Sequence, residues 1–133
     1  MRPFEVVIAA HGPLAPAMLQ AAEMICGAFE GAHAVGLEPD DTPEAFLERL
    51  SATLDPGHAT LVLTDLYGGT PHNVACTLYR RGSEIRCIAG VNLGLVIEAL
   101  TTHDPLDDAL VDRLVASARD AVVDVSSRLA VRP

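Results

Sequence analysis

The chain is 133 residues long, one domain of ordinary size, and half of its residues are apolar, enough for a buried core and too many for a disordered tail. Nine basic residues against eighteen acidic ones leave a formal charge of −9. A surface of that sign repels nucleic-acid phosphates and anionic lipid, so nucleic acid and the membrane surface are set aside as partners. All the basic residues are Arg, which removes chemistry that needs a Lys nucleophile, a Schiff base or a P-loop Lys.

In chain order, Phe4 to Ala10 is a short apolar run rich in β-branched residues that stops at His11-Gly12-Pro13, the pattern of a parallel strand covered on both faces. From Leu14, the residues Ala17, Met18, Ala21, Ala22, Ile25 and Ala28 recur at helical spacing until Gly27 to Gly31 end the pattern. His33 to Leu37 is a weak second strand. Thr42 offers an N-cap with Pro43 at the first helical position, and Phe46, Leu47, Leu50 and Leu54 form one face before Asp55-Pro56-Gly57 breaks it.

Ala59 to Thr64 is the most strand-like run of the chain. After Asp65 comes Leu66-Tyr67-Gly68-Gly69-Thr70-Pro71, a glycine turn with Thr70 placed as N-cap of a third helix. That helix runs to about Arg80, with Val74, Leu78 and Tyr79 as its apolar contacts and Gly82 as its stop. Ile85 to Ala89 is a fourth strand and Leu93 to Leu100 a short helix. Asp104-Pro105 is expected to open one last helix, with a stripe from Leu106 through Leu110, Leu114, Ala118 and Val122 to Val125.

Cys26, Cys76 and Cys87 are an odd set without CxxC spacing and sit among apolar neighbours, so buried reduced thiols and a cytoplasmic location are expected. The apolar stretch before His11 is too short for a signal peptide, and no run reaches the roughly 18 apolar residues of a membrane span, so direct membrane insertion is not expected.

Alternation of strands and helices predicts a single doubly wound α/β domain over residues 1–133, with a mainly parallel sheet and right-handed crossovers. A strand order of 2-1-3-4, with room for a further edge strand at the C-terminus, makes the first and third strands neighbours. Ligands bind such sheets where the winding reverses, and there His11 would face Asp65. A carboxylate at that place can hold one imidazole nitrogen and leave the other as a nucleophile. Gly68, Gly69 and Thr70 would present backbone N–H groups at a helix N-terminus, an anion site. Together these suit a phosphoryl group carried on His11. Each signal alone also fits a strand-end His and an ordinary helix start.

The motifs also carry a resemblance. Ile8-Ala9-Ala10-His11-Gly12, followed by Leu14-Ala15 and Ala22-Glu23-Met24-Ile25, resembles the start of the enzyme IIA component of the mannose-type bacterial sugar phosphotransferase system. Asp65-Leu66-Tyr67-Gly68-Gly69-Thr70-Pro71-His72-Asn73 resembles its second signature, and Gly90-Val91-Asn92-Leu93 with Glu98-Ala99-Leu100 its third. The resemblance spans nearly the whole chain. It implies that His11 accepts a phosphoryl group from the histidine-containing phosphocarrier protein and passes it to a IIB component, with Asp65 orienting His11 and the Gly68, Gly69 and Thr70 region stabilising the group. No cofactor and no metal are expected; members of that family are often dimers, so a homodimer is expected, and the apolar tail Val122 to Val131 could serve its interface.

The chain departs from the family pattern at three places. Thr70 stands where Ser is common, His72 where an aromatic such as Phe is frequent, and Gly94-Leu95 where Pro or another bulky residue can occur. His72 reads either as a surface residue beside the site or as a second proton donor. His33, His58 and His103 read as solvent-facing or structural, with no metal-ligand spacing among them. A receiver domain would want an acidic pair and a Lys, and a flavin module a hydroxyl-rich loop after the first strand, and neither is present. A purely regulatory IIA protein, or a phosphocarrier feeding a dihydroxyacetone kinase, stays open as an alternative.

Overall fold

The computed structural model describes residues 2–130. Four strands alternate with the first four helices: β1 Glu5–His11, α1 Leu14–Cys26, β2 Ala32–Leu37, α2 Pro43–Thr53, β3 Thr60–Thr64, α3 Thr70–Arg80, β4 Ile85–Ala89 and α4 Leu93–Thr101. Two further helices, α5 Asp108–Asp120 and α6 Val125–Leu129, complete the described chain. The sheet is parallel throughout in the order β2-β1-β3-β4, as expected. Ala9 pairs with Thr64, which sets the C-terminal ends of β1 and β3 side by side at the winding reversal.

Strand periodicity splits the core in two, because successive side chains leave opposite faces of the sheet. Val6, Ile8 and Ala10 with Leu61 and Leu63 pack toward α1, α4 and α5. Val7, Ala9 and Val62 pack toward Phe46 and Leu50 of α2 and toward Val74 and Leu78 of α3. Both central strands are thereby covered twice, the physical origin of their unbroken apolar runs. The edge strand β2 buries only Val35, which accounts for its weak signal in the sequence.

Several local expectations are corrected. The last helix does not open at Asp104-Pro105: the Asp107 carboxylate accepts the Leu110 N–H at 2.9 Å and starts α5 there, while Asp104 pairs with Arg113 at 2.7 Å. That helix ends at Asp120, and Asp124 caps the separate α6. The C-terminal segment forms this short helix and no edge strand, so the sheet has four strands among the described residues. Val131, the end of the apolar tail, lies outside the described residues.

Helical spacing also overstated some contacts: Ile25, Tyr79, Val122 and Val125 are exposed. The thiols are not buried as a set either, since Cys26 is exposed and Cys76 and Cys87 are half-buried. Cys26 and Ile25 lie on the last turn of α1, which runs past the edge of its apolar contact. Burial is strong enough at Cys87 to push its thiol up to about 11.

One glycine is required by packing. A Cβ on Gly36 of β2 would sit inside the contact distance of the Gly12 carbonyl oxygen, directly after His11. Gly36→Ala is therefore expected to destabilise the protein by about 1–3 kcal/mol and to displace the turn behind His11. Urea unfolding measures the first effect and amide shifts of Gly12 the second.

Candidate functional site

His11 is the last residue of β1, and its imidazole emerges at the sheet's C-terminal edge with about 47% of the side chain exposed. The Asp65 side chain, 13% exposed, follows β3. Its Oδ2 accepts the backbone N–H of His11 at 3.0 Å and lies 2.8 Å from His11 Nδ1. A carboxylate can only accept, so Nδ1 carries the proton and Nε2 holds a lone pair with no partner among the described residues. Burial pushes the Asp65 carboxyl up, but the backbone and ring hydrogen bonds from His11 outweigh it and hold the group below its ordinary value. Asp65 Oδ1 is buried without a partner among the described residues, so the hydrogen bonding of this carboxylate is concentrated on His11.

The glycine turn closes over the same imidazole. Gly68 adopts φ +84°, a left-handed value that suits glycine, and Gly69 N–H donates to Leu66 O at 3.0 Å. A Cβ on Gly69 would come within 3.0 Å of His11 Cε1, so the second glycine makes room for the ring. Because Thr70 is already the first helical residue and Gly69 keeps an extended backbone, Gly69 and not Thr70 is the N-cap of α3, and no side chain caps that end. Gly68 N–H donates to His72 Nδ1 at 3.1 Å. Of the three expected N–H donors, only that of Thr70 is without an acceptor among the described residues, and that of His72 joins it.

The structure thus brings His11, Asp65, Gly68, Gly69 and Thr70 together. Sequence reasoning placed His72 beside them without a contact and did not single out Asn73, whose side-chain amide donates to Gly68 O at 3.2 Å. An Asn five residues after Gly68 was the available signal, since its short amide reaches local backbone. Asn92 of the third motif is structural: it caps α4 through Leu95 N–H and ties that helix to Ala118 O of α5, each at 2.9 Å.

The remaining histidines lie elsewhere. His33 faces Glu5 at 3.7 Å, and His103 is in the exposed loop before α5. His58 also holds a carboxylate through Nδ1, that of Asp55 at 2.8 Å, and this hydrogen bond raises its affinity for a proton. That pair is a local i,i+3 contact ahead of β3, at the sheet end away from the glycine turn. No cluster suited to a metal occurs among the described residues.

Comparison with known proteins gives a consistent picture. Residues 5–118 match the family model EIIA-man, described as PTS system fructose IIA component. The chain is 34% identical over 116 residues to the mannose-specific EIIAB component of Escherichia coli, a match that covers 85% of this chain and 35% of that protein. It is 25% identical over 128 residues to the sorbose-specific EIIA component of Lacticaseibacillus casei, covering 94% of this chain and 93% of that one. Among solved structures, the mannose/sorbose specific IIA subunit from Enterococcus faecalis superposes with a TM-score of 0.87 at 30% identity, over 100% of this chain and 98% of that chain. A phosphotransferase system component EIIA from Streptococcus agalactiae gives 0.86 at 29% identity, over 93% and 98% of the two chains.

Proposed function

The chain belongs to the EIIA-man family of PTS system IIA components, and on that premise we propose that it is a phosphohistidine carrier of the mannose-type sugar phosphotransferase system. It takes a phosphoryl group from the histidine-containing phosphocarrier protein onto His11 Nε2 and gives it to a IIB component for sugar uptake. Residues 1–133 act as a single IIA domain in the cytoplasm. No helix among the described residues is long and apolar enough to cross a membrane.

The observation that carries this reading is the committed Nδ1 and uncommitted Nε2 of His11. In the acceptor step the Nε2 lone pair attacks phosphorus in line, the donor's N–P bond breaks with its electron pair returning to the donor imidazole, and a new N–P bond forms on His11. The Nδ1 proton stays in place, and the positive charge that develops on the ring is met by Asp65. Thr70 N–H and His72 N–H, at the positive end of α3, face the anionic oxygens. Release to IIB reverses the same steps. Val122, Val125 and Leu129 are exposed on the C-terminal segment, which supports a homodimer in which they are covered.

The test is phosphotransfer from phosphoenolpyruvate through enzyme I and the phosphocarrier protein, scored by intact mass. One acid-labile phosphoryl group on His11, passed on to a IIB protein, is expected; none, or one retained after loss of His11, sinks the reading. Gly69→Ala sharpens it. Its methyl group would push the imidazole off the Asp65 axis, so transfer is expected to slow by roughly tenfold with little change in unfolding temperature.

A further inference from the structure

We propose that His72 is a positioning residue that releases or withholds the Gly68 N–H through a change of ring tautomer. The inference rests on the phosphocarrier reading for the anion involved, and on His72's own contacts for everything else. Four groups surround the ring: Tyr67, with ring centroids 4.8 Å apart, Gly68 N–H at 3.1 Å from Nδ1, Asn73 Oδ1 also at 3.1 Å from Nδ1, and Cys76 Sγ at 3.5 Å from Nε2.

The two neighbours of Nδ1 make opposite demands. Gly68 N–H needs a lone pair there, and Asn73 Oδ1 needs a proton. Turning the Asn73 amide over does not relieve the conflict, because its Nδ2 already donates to Gly68 O, and the exchange would bring two acceptor oxygens together. One neutral imidazole can satisfy either partner and never both.

Two arrangements follow, each leaving one partner of Nδ1 unmet. In the first, Nδ1 accepts from Gly68 N–H, and the proton on Nε2 points at Cys76 Sγ. In the second, Nδ1–H donates to Asn73 Oδ1, the Cys76 thiol proton points at Nε2, and Gly68 N–H is free. The ring proton count is the same in both, so the switch needs no added proton. An anion beside the turn favours the second arrangement, since it offers the released Gly68 N–H a stronger acceptor than imidazole. By the same linkage, the first arrangement weakens anion binding until the ring has switched. A Phe at this position would leave Gly68 N–H without this acceptor, so the control on the turn rests on the imidazole.

Long-range proton–nitrogen spectra of the full chain, titrated with inorganic phosphate, read the tautomer directly. Without phosphate, His72 Nδ1 should give the signal of an acceptor nitrogen. As phosphate is added, Nδ1 should become protonated with the same midpoint as the shift of the Gly68 amide. In His72→Phe, which loses the competing acceptor, phosphate should bind about fivefold more tightly, the effect of one neutral hydrogen bond. An Nδ1 signal that stays unchanged while the Gly68 amide shifts overturns the proposal, as does a Gly68 amide that ignores phosphate in both proteins. Phosphorylation of His11, scored separately by mass, keeps the two readings apart. If His11 accepts the group while His72 does not switch, only the tautomer proposal falls, and if His11 accepts nothing, the phosphocarrier reading falls whatever His72 does.

Discussion

His11→Ala is expected to abolish phosphoryl acceptance outright while the protein folds as before. Nε2 of His11 is the nucleophile in the proposed transfer, and no other uncommitted imidazole nitrogen lies at the site among the described residues. His72 has both ring nitrogens engaged, Nδ1 by Gly68 N–H of the turn and Nε2 by Cys76 Sγ of α3, and His58 is at the other end of the sheet. The fold should be nearly indifferent, because the imidazole is half-exposed and the hydrogen bond from the residue 11 backbone N–H to Asp65 is kept by Ala. Loss of stability should stay below about 1 kcal/mol. Intact mass after incubation with the phosphorylated phosphocarrier protein, beside thermal unfolding, checks both halves. Full phosphorylation of the variant would mean that the proposed acceptor is wrong.

Asp65→Asn is expected to slow transfer by about 10²-fold without abolishing it. The amide can keep an oxygen facing His11, but its NH₂ group then falls where Oδ1 is buried with no partner, an unsatisfied donor. Turned over, the NH₂ group confronts two donors of His11, the backbone N–H and Nδ1–H, and drives the ring to the tautomer with its proton on Nε2, which cannot attack phosphorus. In both orientations the charge that balances the phosphorylated imidazole is gone. Single-turnover rates with a trapped phosphorylated donor measure the loss, and unchanged rates would show that Asp65 does not orient His11.

The pH dependence follows from the same carboxylate with a definite sign. Asp65 sits below its ordinary value in the folded protein, so the stability it contributes is fully present above the unfolded carboxylate value and is lost as pH falls through the lower folded value. Asp65→Asn should accordingly remove part of the acid sensitivity of unfolding at the acidic end. Urea midpoints for the two proteins, compared from neutral pH downward, should converge there.

How much was legible beforehand differs by element. The central strands were readable because both faces are buried, which turns β1 and β3 into continuous apolar runs. The chain order of strands and helices, with the right-handed crossover rule, led to the strand order and so to His11 beside Asp65. Helix ends were less legible. The reading from sequence opened the last helix at Asp104-Pro105, whereas Asp107 caps α5 and Asp104 is taken up by Arg113 nine residues away. The stripe through Val122 and Val125 has helical spacing, yet nothing in the described chain covers it, and the helix breaks at that point.

At the site, residue types and chain positions by themselves determined that a histidine and a carboxylate meet at the winding reversal beside a glycine-opened helix, since strand length, strand order and turn chemistry are local or topological properties. Which atoms do what was decided only by the tertiary structure. The choice of Nδ1 for Asp65, the clearance that Gly69 gives the imidazole, and the capture of Gly68 N–H by His72 depend on separations of about 3 Å between groups on different elements. Hydrogen bonds act only at such distances, and no spacing along the chain encodes them until the sheet has set β1 against β3 and docked α3 above both.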